Sequence, residues 1–232
     1  ANHAVQTDAA KQPKIVDGGT LVTGGIDFDG VDDTLTLSGS GLDLFRDVGY
    51  GQIFSVITPD NVSTGNNRYF EAISGTSGAR VLLGDSQDYA ASARIGGRRL
   101  DANAFQDIES STSHSNNETL ITGFLNWADA DAYLYLNGTE EASSTGFQTA
   151  GNTSDTRSQD ILISGFQKGD FKTKEIIIYN TDQTDNRTAL EANIGEVYGI
   201  AGIPAYDDTV NGFVETWYDQ SGNGNNAVQL TA

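Results

Sequence analysis

Residues 120–138, LITGFLNWADADAYLYLNG, contain two apolar runs, 120–127 and 132–136, with a short acidic segment between them. Apolar runs of this length, rich in aliphatic and aromatic residues and bounded by turn-forming residues, are typical of β-strands. Asn137-Gly138 is a strong signal for a tight turn at the far end of the second run. The stretch therefore predicts an antiparallel hairpin whose second strand leads directly into another turn.

Upstream of this hairpin, the chain repeats the pattern of short strands separated by turns. In residues 26–37, IDFDGVDDTLTL, apolar and polar residues alternate on either side of an acidic segment, which predicts two half-buried strands joined by a turn. Two more strand pairs and a polar loop are expected before residue 120: 68–73 with 79–83, 89–95 with 99–105, and a loop over 106–117.

Downstream, one buried strand and one helix are predicted. Residues 174–179, KEIIIY, have the continuous β-branched content of a fully buried strand. A helix over about 184–198 is capped by Thr184 or Asp185 and ended by Gly199. The residues expected on its packing face, at helical spacing, are Leu190, Ile194, Val197 and Tyr198.

Composition excludes several classes of function. A net charge of −19 over 232 residues argues against nucleic acid and anionic membranes as partners, because both would be repelled. The only concentrated basic patch is Arg94, Arg98 and Arg99. Cysteine is absent, so there is no disulfide framework, thiolate metal site or cysteine nucleophile. No run of about eighteen apolar residues is present, so membrane insertion by a helix is not expected.

The two ends of the chain share a sequence. Residues 225–232, NNAVQLTA, repeat residues 2–9, NHAVQTDA, with Asn, Ala, Val, Gln and the final Ala in register. We expect a domain over 1–203, followed by a linker and strand segment over 204–232 that resembles the start of the next repeat. The residues predicted to mediate self-association between copies are Val5, Gln6, Trp217, Tyr218, Val228 and Gln229. The alternative is that the last segment packs on its own domain.

Three blocks together resemble the concanavalin A-like, or laminin G-like, jelly-roll domains of phage structural proteins and bacterial surface proteins. They are residues 26–33, residues 133–138, and residues 174–180 with the helix that ends at 197–200. The resemblance implies an all-β jelly-roll β-sandwich with one short C-terminal helix. It says little about function, because this sandwich hosts lectins, hydrolases and structural modules.

Residues 217–225, WYDQSGNGN, resemble a signature near the start of the catalytic domain of α-L-arabinofuranosidase B and related phage proteins. In those proteins the signature is followed directly by a segment like residues 4–16. In this chain the order is reversed, with the signature near the end and that segment near the beginning. The resemblance makes a glycoside hydrolase of the arabinofuranosidase type the alternative function. However, its Cys-containing nucleophile block is missing, and no Glu-x-Asp-x-x-Glu strand of the laminarinase type is present. We therefore expect no enzymatic activity and no catalytic residue.

Calcium is the cofactor that the sequence favours, at one of two places. Asp219, Ser221 and Asn223 match the first positions of an EF-hand-type loop, but position 12 is Leu230 rather than Glu. The preferred place is the oxygen-rich turn formed by Asp27, Asp29, Asp32 and Asp33. Aspartates at turns also bond backbone amides, which is the structural alternative for each of them.

Glycan binding is predicted at Trp127, Asn126, Asp129 and Tyr89, because sugar rings stack on aromatic faces while Asn and Asp bind hydroxyls. Tyr133 and Tyr135 are expected to pack against the sheet instead. The sequence therefore predicts a non-catalytic structural or adhesion module, at the cell surface, outside the cell or on a virion. Its expected partners are copies of itself and cell-surface glycans.

Overall fold

A computed structural model of the protein describes residues 3–61, 67–74, 78–86, 92–114 and 116–204, and the backbone of residues 216–217 and 227–228. Two antiparallel sheets face each other and form the predicted jelly-roll β-sandwich. With strands numbered along the chain, the seven-stranded sheet has the spatial order β1 (Ala4–Val5), β5 (Leu35–Leu37), β14 (Asp160–Ile163), β7 (Arg68–Ile73), β8 (Ala79–Asp85), β9 (Ser92–Gly97) and β10 (Gln106–Ser113).

The six-stranded sheet has the order β13 (Thr139–Thr145), β12 (Asp131–Leu136), β11 (Thr119–Asn126), β6 (Tyr50–Pro59), β15 (Asp170–Tyr179) and β4 (Ile26–Asp29). The remaining elements are the hairpins β2 (Val16–Asp17) with β3 (Thr20–Leu21) and β16 (Thr216–Trp217) with β17 (Ala227–Val228), the 3₁₀ helices Ala9–Lys11 and Gly39–Asp43, and the helix α1 (Arg187–Tyr198).

The main core lies between the two sheets and is rich in aromatic side chains. Phe28 of β4 and Phe171 of β15 stack with ring centroids 4.8 Å apart, and Tyr69 of β7 meets Phe171 edge-on. Trp127, just beyond β11, is 0% exposed in the same cluster. Burial of rings of this size is the largest favourable contribution to the stability of such a sandwich.

The hairpin of residues 120–138 is confirmed, since β11 pairs with β12 along its length and Asn137-Gly138 turns the chain into β13. The pairing of residues 68–73 with 79–83 is confirmed by β7 and β8.

The two strands predicted over residues 26–37 are confirmed as β4 and β5. They do not pair with each other: the acidic turn between them crosses from one sheet to the other, because β4 pairs with β15 while β5 pairs with β14 and β1. The hairpin predicted from residues 89–95 and 99–105 is wrong. The partner of β9 is β10, in residues expected to form a loop, because an edge strand tolerates a polar sequence.

Helix α1 covers the outer face of the six-stranded sheet. It begins at Arg187 rather than at 184, and its end at Gly199 is confirmed: this residue adopts the left-handed conformation with φ of 67°. A second apolar cluster fills the space beneath the helix; its buried members are Phe54, Val56, Leu120, Phe124 and Ile194. Val197, predicted on the packing face, is 65% exposed, because the helix contacts the sheet along a narrower stripe than its apolar residues suggest. No helix in the described part of the chain is long and apolar enough to cross a membrane.

Candidate functional site

A groove with a volume of about 760 Å³ lies on the outer face of the seven-stranded sheet. This volume is in the range of pockets that hold small molecules or short saccharides. Residues directly opposite each other on neighbouring strands share a face, so the pairing registers build the floor of the groove. One row across the strands is Arg68, Gly84, Arg94 and Glu109, and the next is Glu71, Leu82, Gly96 and Asp107.

Two of the groove's arginines are held by carboxylates. The Arg68 guanidinium donates to Glu71, whose side chain is 2% exposed and also accepts a hydrogen bond of 2.8 Å from the Phe166 backbone N–H. The Arg94 Nη1 donates to Asp107 Oδ2 at 3.3 Å. Burial lowers the pKa of Arg94, and the charge of Asp107 opposes that effect. These pairs fix the positions of side chains that would otherwise be mobile on a solvent-facing sheet.

Arg98 is different from the other two. It lies just after β9 and lines the groove. A Cβ at Gly78 would overlap the Arg98 guanidinium, so the arginine can occupy this position only because residue 78 is a glycine. Within residues 3–61, 67–74, 78–86, 92–114 and 116–204, no carboxylate forms an ion pair with Arg98, and its Nε is buried without a hydrogen-bond partner. The groove therefore presents one guanidinium that forms no ion pair with an acidic side chain of the described part, with the exposed Asp160 among the other residues that line the groove.

Two aromatic rings complete the groove. Phe105 is half-buried, and its ring end would lie 2.6 Å from a Cβ at Gly96, so the ring rests over the bare backbone of that glycine. Phe166 is 76% exposed at the groove's edge. An exposed aromatic ring beside a charged floor gives the groove both an apolar surface and hydrogen-bonding groups.

The predicted glycan-binding residues do not form this site. Trp127 is wrong as a stacking platform because it is fully buried, with its ring against Gly51. Asn126 is also wrong, since it is 4% exposed and its Oδ1 accepts a 2.6 Å hydrogen bond from Gln52 inside the fold. Asp129 lies exposed in the turn after β11, away from the groove, and Tyr89 lies outside the described residues.

Tyr133 and Tyr135 pack on the sheet, as predicted. Their rings stack with centroids 6.4 Å apart, and the Arg187 guanidinium of helix α1 lies 4.0 Å from the Tyr135 ring centroid. These contacts place both tyrosines on the helix-covered side of the sandwich, so neither contributes to the groove.

Three of the four predicted calcium ligands converge at the turn after β4. Carboxylate oxygens of Asp29, Asp32 and Asp33 lie within 4.8 Å of one another, whereas Asp27 lies 3.8 Å from the Lys172 ammonium. Burial, together with repulsion from Asp29 and Asp32, raises the pKa of Asp33 against the hydrogen bond from the Asp29 N–H. Asp29 Oδ1 also accepts a hydrogen bond from the Val31 N–H at 2.9 Å. This is the bond expected if the aspartate stabilises the turn instead of binding calcium. Calcium at this turn stays a prediction, and the ligands predicted at Asp219, Ser221 and Asn223 lie outside the described residues.

The sequence contained a partial signal for the groove. The basic patch of Arg94, Arg98 and Arg99 supplies two of its arginines, but Arg99 turns away and donates to the Asn152 carbonyl at 2.8 Å. Arg68, Glu71, Phe105 and Phe166 could not be found from the sequence, because they are brought together by strand pairing between distant segments.

The fold is similar to binding domains of clostridial toxins. The botulinum neurotoxin serotype D ligand binding domain in complex with N-acetylneuraminic acid matches with a TM-score of 0.57 and 12% identity, over 85% of this chain and 46% of that chain. The receptor binding domain of botulinum neurotoxin mosaic serotype C/D matches with a TM-score of 0.55 and 13% identity, over 81% and 44%. The binding domain of Paraclostridial Mosquitocidal Protein 1 matches with a TM-score of 0.54 and 15% identity, over 83% and 51%.

This chain thus spans about half the length of these structures. At such low identity the likeness establishes a shared jelly-roll-like β-sandwich and no more. No protein-family model matches the sequence, and no curated protein matches it significantly.

Proposed function

We propose that this protein is a non-catalytic carbohydrate-binding domain whose groove holds a glycan that carries a carboxylate. The observation that carries the proposal is Arg98, a guanidinium in the groove wall without an acidic partner in the described part of the chain. A carboxylate fits the planar fork of a guanidinium with two parallel hydrogen bonds. In a chain of net charge −19, a groove arginine without an ion-pair partner in the described part is a local place where one acidic group can bind.

The rest of the glycan would contact the aromatic rings and the ion-paired floor. Sugar rings present C–H groups on one face, which pack on aromatic side chains such as Phe166 and Phe105. Their hydroxyls find acceptors in Asp107 and Glu109, which line the same groove. An apolar face, several hydrogen-bond acceptors and one guanidinium without an ion-pair partner together suit an acidic saccharide.

The solved structures of similar fold support the same class of ligand by analogy. One was determined in complex with N-acetylneuraminic acid, a sugar with a carboxylate. Cell entry of botulinum neurotoxin type C, which matches with a TM-score of 0.53, depends on interaction with two ganglioside molecules. Because a fold hosts many functions, the proposal depends on the groove and uses the neighbours only as support. A glycan partner also favours the predicted location outside the cell.

The absence of catalysis is part of the proposal. Hydrolysis of a glycosidic bond needs two carboxyl groups free to act as acid and as base or nucleophile. In the groove, Glu71 is bound to Arg68, Asp107 to Arg94, and Glu109 Oε1 accepts a 2.6 Å hydrogen bond from Ser86. These three carboxylates are held by neighbouring side chains, which leaves Asp160 as the remaining carboxylate among the described residues that line the groove.

Isothermal titration of the whole chain with 3′-sialyllactose and with lactose tests the proposal. We expect sialyllactose to bind roughly 10-fold to 100-fold more tightly than lactose, the effect of one charge-assisted contact of about 1.5–3 kcal/mol. Arg98→Ala should remove that difference. Arg46→Ala, which removes an exposed arginine paired with Asp155 outside the groove, should preserve it.

Three results would contradict parts of this proposal. Equal binding of both sugars would overturn the role of the carboxylate. If Arg98→Ala still preferred sialyllactose over lactose, Arg98 would not be the residue that binds the carboxylate. Release of free sugar from sialyllactose or an aryl arabinoside, above the rate in buffer, would restore the hydrolase alternative.

A further inference from the structure

Both copies of the Ala-Val-Gln sequence form a strand at their Ala-Val residues. Residues 2–9 and 225–232 share Asn, Ala, Val, Gln and Ala in register. In each copy the same two residues form the strand, Ala4–Val5 in β1 and Ala227–Val228 in β17. Within the described residues, the sequence repeat therefore coincides with strand backbone at the same two positions of each copy.

The two copies pair with different strands. In β1, Ala4 lies opposite Leu37 and Val5 opposite Thr36 of β5. In β17, Ala227 lies opposite Trp217 and Val228 opposite Thr216 of β16. A β-strand has two hydrogen-bonding edges, so one Ala-Val strand can lie between a strand such as β5 and a strand such as β16.

Such a partner strand would pair at the outer edge of β1. In the described part of the chain, β1 is the last strand of its sheet and no strand pairs with its outer edge. Val5 is 46% exposed there. Gln6 Nε2 donates to the Thr34 carbonyl at 3.2 Å, which holds this segment against the sheet. An ordered edge with unpaired backbone groups is a template for an added strand.

We propose that β16 of one copy of this chain pairs with β1 of a second copy. The repeat defines the register: Thr216 opposite Val5 and Trp217 opposite Ala4, as these residues lie opposite Val228 and Ala227 in the observed hairpin. The partner is a second copy rather than another protein, because the strand that β16 pairs with has the sequence of β1. This interface is independent of the groove and of glycan binding.

The exchange is energetically feasible. Replacing β17 by β1 as the partner of β16 keeps the number of ladder hydrogen bonds, and such exchange of equivalent elements is a low-cost route to association. A two-stranded hairpin is only marginally stable alone in water, whereas a strand added to a seven-stranded sheet is supported by its neighbours. Because each copy contributes different strands as donor and acceptor, the pairing either closes, as in a reciprocal dimer or a larger ring, or extends into a filament.

Disulfide trapping tests the register directly, because the chain contains no cysteine of its own. Two single variants, Ala4→Cys and Trp217→Cys, are mixed in a glutathione redox buffer, and Val5→Cys is mixed with Thr216→Cys in parallel. Opposed strand residues satisfy the Cα separation of about 4.4–6.8 Å that a disulfide needs. We expect the mixed disulfide in excess over both homodimers for at least one of the two pairs, the one at a non-hydrogen-bonded position.

A matched control uses Leu21→Cys with Trp217→Cys. Leu21 is 70% exposed on the β2–β3 hairpin, so its thiol is accessible but lies outside the proposed interface. Yields of mixed disulfide equal to this control for both test pairs would overturn the proposal.

The double variant Ala4→Cys/Trp217→Cys distinguishes pairing between chains from pairing within one. A ladder of disulfide-linked multimers on a non-reducing gel is expected. A product that remains monomeric with an internal disulfide would overturn the proposal. Light scattering of the unmodified chain should give a mass that rises with concentration above the 24.6 kDa of one chain. A constant monomer mass at every concentration would contradict it.

Discussion

The outer faces of the two sheets differ although both belong to the same sandwich. On the six-stranded sheet, β6 and β11 present a cluster of apolar side chains outward, and helix α1 covers it; Phe54 and Phe124 meet there edge-to-face with centroids 5.5 Å apart. On the seven-stranded sheet, the outward side chains of β7, β9 and β10 include arginines and carboxylates, and the described residues leave an open groove above them.

This difference follows from the period of two along a strand. β11 is buried at every position because it has the core on one side and a helix on the other. In β9, Ala93 and Ile95 face the core, whereas Arg94 between them faces the groove. A face that packs against a helix needs apolar side chains, and a face that remains open can hold the charges that recognise a ligand.

The largest effect is expected from truncating a ring on the covered face. Phe124→Ala removes a side chain that is 1% exposed, and such changes cost about 3–5 kcal/mol of unfolding free energy. Phe166→Ala, the same truncation at a ring that is 76% exposed, should change stability by no more than about 0.5 kcal/mol. Urea unfolding of both variants measures the contrast. Similar losses in the two would mean that the open face is packed as well.

A smaller loss is expected from the buried carboxylate on the open face. Glu71→Ala leaves Arg68 without its partner and removes the acceptor of the Phe166 N–H, at a cost of about 1–3 kcal/mol. The control is Asp43→Ala, whose side chain is 40% exposed and pairs with Arg157 at 3.3 Å; exposed pairs contribute only about 0–1 kcal/mol. Equal unfolding free energies for these two variants would show that Glu71 does not organise the groove.

A smaller effect on stability is expected from Gly199, which ends helix α1. Gly199→Ala places a Cβ in the left-handed conformation, which costs about 1 kcal/mol. Gly199→Asn should lose less, because asparagine tolerates this conformation better. Thermal unfolding compares the two variants, and a ranking with Ala above Asn would contradict the left-handed cap.

The smallest expected effect is a pH dependence of the unfolding free energy that comes from Glu191, a buried carboxyl group on helix α1. Burial raises the pKa of Glu191, against the opposing effect of Arg187, whose Nη1 lies 2.6 Å from the carboxylate. The folded state therefore favours the protonated form. This contribution to stability is fully present below the ordinary Glu pKa of about 4.3 and is lost as the pH rises through the raised value.

Urea unfolding at a series of pH values tests this linkage. The unfolding free energy of the wild type, relative to Glu191→Gln, should fall as the pH rises through that window. Glu196→Gln, at an exposed position of the same helix, is the control. A difference between the wild type and Glu191→Gln that does not change with pH would contradict the assignment.

Local patterns were sufficient for part of the structure. Asn137-Gly138 predicts its turn because few residues adopt those backbone angles, and both have positive φ, 48° and 80°. Gly199 predicts the end of the helix for the same reason. In contrast, β10 was predicted as a loop because its polar side chains at the sheet edge give no alternating apolar signal, and Trp127 was assigned to a ligand although the core surrounds it.

The sequence by itself determined two hairpins, the end of the helix and the repeat that relates β1 to β17, and its resemblance to jelly-roll domains indicated the class of fold. The hairpins and the helix end depend on the conformations of neighbouring residues, which the local sequence sets. Only the tertiary structure decided which face of each sheet is covered and where the groove lies. Arg68, Arg94 and Phe166 become neighbours through pairings between strands far apart in the chain, and the physical reason is that burial and charge compensation depend on the whole sheet rather than on any one segment.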